Sequence, residues 1–219
     1  VYVTVNSRFD DSVRVSYSEM EIVDDFENLN HQLVKEAMRM TGVTKGVEIT
    51  TIADIPSKGS GLGSSSAVTV GLLHALHCFA GRKPTSRQLA EEACKIEINI
   101  LGQTIGKQDQ YAVAFGGCNH IIFNQDGTVI VENISDEIQL KGNFSLIYTG
   151  ITRLANEILK DQNSKTSQNR NNLDLLVVQA KKAKKMIVEE NFLGLAKLLD
   201  ETWACKKELS PSISNDEID

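Results

Sequence analysis

The 219-residue sequence predicts an α+β fold in two parts, on three observations. Apolar and polar residues alternate in short runs through the first half, as half-buried strands require. Apolar residues at helical spacing fill the intervals between those runs. Beyond Leu154 the chain is helical and more charged.

Val1, Val3 and Val5 alternate with Tyr2, Thr4 and Asn6, and Val13, Val15 and Tyr17 alternate with polar residues, so two strands joined by a turn over residues 7–11 are expected. Over residues 28–41, Leu29, Leu33, Ala37 and Met40 share a helical face, and Gly42 supplies the stop. Val47, Ile49 and Thr51 mark a strand that Pro56 ends, and a glycine-rich loop follows. Residues 64–80 read as a helix apolar nearly all round, hence buried. Thr85 and Gln88 have capping-box spacing ahead of a stripe of Leu89, Ala93, Ile96 and Ile100. Residues 102–110 interrupt that helix. Ala112–Phe115 then lead through Gly116 and Gly117 to a hairpin, with strands at 121–123 and 129–131 around Asp126-Gly127. Residues 144–148 read as one more strand and 161–172 as a mobile loop. Leu173, Val177, Ala180 and Ile187 fit one helical face; Phe192, Leu195, Leu199 and Thr202 fit another. Val1 opens inside a strand pattern and Asp219 closes on a polar segment, so the chain reads as the interior of a longer protein.

Composition narrows the function. Lys and Arg number 23 against 29 Asp and Glu, a net charge of −6, which opposes a nucleic-acid surface spread over the molecule. It leaves room for a small anion site. The near-apolar stretch 67–80 contains His74 and His77, so no membrane span is expected. Cys78, Cys94, Cys118 and Cys205 lack C-x-x-C spacing, and the reading is a cytoplasmic protein with reduced thiols. The four histidines have no ligand spacing; His74 and His77 read as core or edge residues. Lys181, Lys182, Lys184 and Lys185 read as the wet face of a helix.

The segment Pro56-Ser57-Lys58-Gly59-Ser60-Gly61-Leu62-Gly63-Ser64-Ser65-Ser66 lies between a strand and a buried helix. Its glycines permit tight turning and close approach of an anion, and a helix start offers free N–H groups and the positive dipole end. Together they suit a phosphate. The pattern is neither a Walker A loop nor a dinucleotide fingerprint, and a surface loop with capping serines is the plain alternative. Glu97 borders the buried stripe of its helix, where a carboxylate needs a partner. Asp109 follows twelve residues later, beyond glycines that can fold it back toward Glu97. Hard oxygen ligands of this kind suit Mg²⁺, which takes one or two carboxylates and leaves room for phosphates. A salt-bridged Glu97 and a helix-capping Asp109 are the alternatives.

These features together resemble the GHMP kinase superfamily: P-x-x-x-G-L-G-S-S at 56–65, then a Glu, then G-x-x-D-Q at 106–110, then Gly116-Gly117. Within it, residues 106–112, 115–119 and 148–153 are similar to the D-glycero-D-manno-heptose 7-phosphate kinases, along essentially the whole chain. The resemblance implies an N-terminal ATP-binding domain of ribosomal protein S5 domain 2 type over 1–142, lacking its first strand. It implies the start of a ferredoxin-like C-terminal domain over 143–219. It also implies ATP-dependent phosphorylation of the anomeric hydroxyl of a heptose 7-phosphate. Lys58, Gly59, Ser60, Gly61, Leu62, Gly63, Ser64, Ser65 and Ser66 would wrap the ATP phosphates. Ser65 and Glu97 would hold Mg²⁺, and Asp109 would lie beside the attacking hydroxyl as base or electrostatic anchor. Lys107, Thr149, Gly150 and Arg153 would meet the sugar phosphate. The partner implied is a small sugar phosphate, with no nucleic acid and no membrane; a homodimer is compatible with it. A galactokinase- or fucokinase-like enzyme and a non-catalytic nucleotide-binding homologue are the rival readings.

Overall fold

A computed structural model describes residues 1–54, 61–135, 143–147, 149–150, 155–216 and 218. The chain divides into two compact units, Val1–Gly116 and Gly117–Asp219.

In the first unit, β1 (Tyr2–Ser7), β2 (Val13–Ser16), β3 (Met20–Val23) and β4 (Val47–Ile52) form a sheet in the order β1-β4-β2-β3. β4 enters between the first two strands, antiparallel to β1 and parallel to β2. The turn over residues 7–11 therefore joins strands that do not pair. β3 escapes the sequence pattern because two of its three apolar side chains face outward: Met20 and Ile22 are each 59% exposed, and only Val23 packs against the core. The inner face offers Val13, Val15, Val47 and Ile49, all fully buried against the helices.

α1 (Gln32–Thr41) begins after a 3₁₀ turn at Phe26–Asn28, later than the apolar spacing suggests, and ends at Gly42 in the left-handed conformation. The ring nitrogen of His31 caps it by accepting from the Val34 amide at 3.4 Å. α2 (Ser64–Phe79) is the central helix. Its Gly71 lies so close to β1 that a methyl group there would stand 2.9 Å from Val3, so the missing side chain sets the helix-to-sheet distance. Leu72, Leu73 and Leu76 are fully buried, but Phe79 is 41% exposed and His74 is exposed, so α2 is not buried all round. The apolar count overstates the burial because one face, with His74 and Cys78, meets solvent. His77 is a satisfied core residue, bonded to Glu92 at 2.7 Å and accepting from Arg82 at 3.0 Å.

α3 (Ser86–Cys94) carries half of the expected capping box. Thr85 accepts from the Gln88 amide at 3.1 Å, whereas the Gln88 side chain turns forward to Glu92 at 2.9 Å. The helix then widens into a π turn over Lys95–Ile100, marked by the Leu101 amide donating five residues back to Ile96. Ile96 and Glu97 are fully buried there, while Ile100 is 45% exposed, so the apolar stripe stops one turn early. α4 (Gln108–Phe115) closes the unit.

In the second unit, β5 (Cys118–Phe123) and β6 (Val129–Ser135) form the expected hairpin, with the same turn but longer at the open end than the alternation indicates. α5 (Ala155–Ser164), α6 (Arg170–Val188) and α7 (Phe192–Lys207) follow, with α6 packed on α7. Two expectations fail here. Residues 145–147 lie outside any strand: Leu146 and Ile147 are 81% and 80% exposed, and no described strand supplies the ladder their apolar run would need. The expected loop over 161–172 is mostly helix; Lys165 and Ser210 bind the Asp161 carboxylate at 2.8 and 2.5 Å and pin the end of α5. Lys184 is also more than a wet charge, because it donates to Glu132 at 2.7 Å, on the same oxygen that meets His120 at 2.8 Å. Among the described residues no helix is long and apolar enough to cross a membrane.

Candidate active site around the start of the second helix

Of the glycine loop, Lys58, Gly59 and Ser60 lie outside the described residues, and the rest leads directly into α2. Gly61 and Gly63 both have positive φ, +70° and +66°, which glycine alone adopts without strain. Gly63 is the N-cap of α2 and offers no side-chain acceptor to the amides that follow. A helix start of this kind points N–H groups and the positive dipole end outward, and that combination binds anions.

Asp109 sits in the first turn of α4, exposed, against this helix start. A methyl group on Gly63 would stand 3.1 Å from Asp109 Oδ2 and 3.3 Å from its Cγ. The glycine thus serves two needs at one position, a left-handed backbone and room for a carboxylate. The sequence leads one to expect Asp109 folded back toward Glu97; the contact the structure shows is with Gly63.

Glu97 is the opposite kind of carboxylate. It is fully buried and has no cationic partner among the described residues. Its charge is met by neutral donors instead. The Ser65 hydroxyl donates to Oε1, the Ser66 hydroxyl to Oε2 at 2.9 Å, and the Gln110 amide to Oε2 at 2.6 Å. The π turn brings it there; such insertions recur at functional sites because they re-aim a side chain without ending the helix. A buried carboxylate without a counter-charge is costly, and hard oxygen donors with one lightly bonded carboxylate oxygen are the surroundings a small divalent cation fills. Ser65 and Glu97 therefore fit the Mg²⁺ reading. Ser65 is a rotor with lone pairs to offer once its proton turns elsewhere.

A pocket of about 830 Å³ in the same unit opens onto this helix start. Ser64 and Ser65 line one side of it, Thr50 and Thr51 of β4 another, and Tyr17 and His31 a third. The Tyr17 and His31 rings meet edge to face with centroids 4.6 Å apart. Burial, reinforced by Glu21, pushes the Tyr17 phenol up to about 12, so it remains a neutral donor; it gives its proton to Glu21 Oε1 at 3.0 Å. Burial likewise holds the His31 imidazole below its ordinary value.

Lys107 precedes α4, exposed, with no ion pair among the described residues; its charge reaches the Cys94 thiol, which burial pushes up to about 11. Thr149 and Gly150 are exposed residues of the second unit, and Arg153 lies outside the described residues. Sequence reasoning missed three contributors. Gln110 lies in the G-x-x-D-Q motif, and nothing in the sequence but its position next to Asp109 signals it. Tyr17 and His31 had no signal, since the turn after β2 and the start of α1 meet only in the folded unit.

Residues 28–117 match the family model described as GHMP kinases N terminal domain. That span holds Gly61–Ser66, Glu97, Asp109 and Gln110. A D-glycero-alpha-D-manno-heptose 7-phosphate kinase from Campylobacter jejuni is 32% identical over 203 residues, covering 90% of this chain and 59% of that protein. The matched residues carry the N-terminal domain of the GHMP kinase superfamily.

Further relatives widen the picture within that superfamily. An L-fucokinase/L-fucose-1-P guanylyltransferase from Bacteroides fragilis is 28% identical over 84% of this chain and 20% of that protein. Among solved structures, a D-glycero-D-manno-heptose 1-phosphate kinase from Bacteroides thetaiotaomicron superposes with a TM-score of 0.70 at 23% identity, covering 94% of this chain and 67% of that one. The α+β architecture is thus the GHMP kinase fold. The chain spans only about three fifths of the first curated relative's length, 59%.

Proposed function

We propose that the whole protein is an ATP-dependent sugar kinase that transfers the γ-phosphoryl group to the anomeric hydroxyl of a heptose 7-phosphate. The observation that carries this reading is the approach of the Asp109 carboxylate to Gly63 at the start of α2, where a phosphate would sit. In this reading, residues 1–142 form the nucleotide-binding domain and residues 143–219 begin the second.

The amides from Gly61 to Ser66, with Lys58, Gly59 and Ser60, hold the phosphate chain of ATP. The base and ribose occupy the 830 Å³ pocket beside Tyr17 and His31, which reaches the phosphates through Ser64 and Ser65. Ser65 and Glu97 hold Mg²⁺, which when bound neutralises phosphate charge that develops during transfer. Asp109 accepts a hydrogen bond from the sugar hydroxyl and takes its proton as the new O–P bond forms. The bond between the γ-phosphorus and its bridging oxygen breaks, and ADP leaves with the electron pair. Phosphoryl transfer depends on alignment and charge neutralisation more than on covalent assistance, and a site built on a helix start meets that need. The anomeric hydroxyl is the most acidic on the ring, so one carboxylate within hydrogen-bond reach suffices as acceptor. Lys107 and Arg153, with Thr149 and Gly150, meet the phosphate already on the sugar; Arg offers the fork that matches it.

The heptose relatives carry names that place the existing phosphate differently, on carbon 7 in one and carbon 1 in the other. A substrate panel with full-length enzyme decides: heptose 7-phosphate, heptose 1-phosphate, L-fucose and galactose, with ADP release and product position read for each. Turnover of heptose 7-phosphate to a 1,7-bisphosphate is the expected result. Turnover of fucose or galactose alone would replace the assignment.

A further inference from the structure

The aim of the Glu97 carboxylate depends on a residue that bears no charge. We propose that Gln110 is a positioning residue that reserves Glu97 Oε1 for the cation; this rests on the Mg²⁺ reading of Ser65 and Glu97.

Gln110 is fully buried, and its Nε2 donates to Glu97 Oε2 at 2.6 Å. Ser66, itself buried, donates to the same oxygen at 2.9 Å. Two donors therefore occupy Oε2, and among the described residues Oε1 carries only the Ser65 hydroxyl. The two oxygens differ in what they can release. A serine hydroxyl turns about one bond and can accept as well as donate, so Ser65 can give Oε1 up. The Gln110 amide is fixed, because exchanging its nitrogen and oxygen would set a carbonyl against a carboxylate. Its own Oε1 is buried and has no hydrogen-bond partner among the described residues. An apolar side chain of that size would fill the space without orphaning an acceptor, so the donated hydrogen bond, rather than the volume, accounts for an amide here.

Position adds a second argument. Gln110 follows Asp109 in the first turn of α4. One residue lies against Gly63 and the next against Glu97, so a single helical turn fixes both carboxylates relative to the start of α2. Outer-shell partners of this kind orient a metal ligand and raise its affinity for the metal.

The test uses full-length enzyme, Mn²⁺ as a paramagnetic stand-in for Mg²⁺, and a non-hydrolysable ATP analogue. Mn²⁺ affinity is read by electron paramagnetic resonance, and kcat and KM for ATP are measured at saturating Mg²⁺. Glu97→Gln should weaken Mn²⁺ binding tenfold or more. Gln110→Met, which keeps the volume and removes the donor, should weaken it about tenfold, the low end of outer-shell effects. Added to Glu97→Gln, it should cause no further loss, because its effect runs through the carboxylate. Saturating Mg²⁺ should restore kcat in Gln110→Met, a recovery that a purely structural defect would not show. Should Gln110→Met fail to fold, Gln110→Asn, one methylene too short to reach Glu97, carries the same expectations. Unchanged Mn²⁺ affinity in the Gln110 variants, alongside a loss in Glu97→Gln, overturns this proposal alone. An equal loss in both backgrounds also overturns it. Full Mn²⁺ affinity in Glu97→Gln overturns the cation reading and this proposal with it.

Discussion

The π turn that carries Glu97 and the first helical turn that carries Asp109 give two carboxylates opposite treatment within one unit. Glu97 is fully buried and receives hydrogen bonds from three neutral side chains. Asp109 is exposed and lies against the bare Cα of a glycine. A group enclosed by fixed donors keeps one orientation and suits a cation. A group left open to solvent beside a helix start can meet an incoming hydroxyl and exchange a proton with it. The same side-chain chemistry is thus divided into two tasks by surroundings alone.

The contrast can be broken most severely at Asp109. Asp109→Asn keeps the shape and removes the proton acceptor, so kcat of the full-length enzyme on heptose 7-phosphate should fall about 10²- to 10⁴-fold. ATP affinity, measured by calorimetry, should change little. Unaltered turnover would strip Asp109 of its role. A smaller effect comes from closing the space between the two regions. Gly63→Ala puts a methyl at φ +66° and 3.1 Å from Asp109 Oδ2. The left-handed backbone alone should lower stability in urea unfolding by about 1–2 kcal/mol. The displaced carboxylate should lower kcat by roughly tenfold to a hundredfold. A Gly63→Ala enzyme with full activity would mean that Asp109 does not need that approach.

The smallest effect belongs to the rim of the pocket. Burial holds the folded His31 imidazole below its ordinary value of 6.5, so in the window between the two values the unfolded chain binds more protons than the folded one. His31 therefore contributes stability that is complete above pH 6.5 and is lost as pH falls through the lowered folded value. A protonated ring nitrogen also stops accepting from the Val34 amide and uncaps α1. Urea midpoints measured from pH 7.5 to 5 should decline, and His31→Asn, which keeps a capping acceptor without a titrating proton, should flatten the decline. An identical slope in that variant would remove His31 as its source.

Much of this arrangement was legible in the sequence where local chemistry decides it. The glycines ahead of α2, the stop at Gly42 and the Asp126-Gly127 hairpin each follow from backbone preference or short-range pattern. Motif resemblance puts Ser65 and Glu97 on one cation, and the helical stripe puts Glu97 at its border; the full burial with neutral donors and no counter-charge is seen only in the fold. What escaped depends on distant partners. β3 turns Met20 and Ile22 outward and only Val23 toward the core, so its pattern is weak. The insertion of β4 between β1 and β2 leaves no mark in either strand. The helical run over 161–164 reads as a polar loop because its end is held by Ser210, 49 residues away. Gln110 and Ser66 looked like a motif spacer and a phosphate ligand, and only the folded unit brings both to one carboxylate oxygen.

The π turn at Lys95–Ile100 has a consequence for how this region tolerates change. Its aim is written in chain length as well as in residue identity. Deleting Lys95 or Ile96 would shorten the path from α3 to Glu97 by one residue and turn the carboxylate away from its present direction. Glu97 itself could be kept and would still miss Ser65. Substitutions at the exposed Lys95, Asn99 and Ile100 would be tolerated, whereas a single deletion ahead of Glu97 would not.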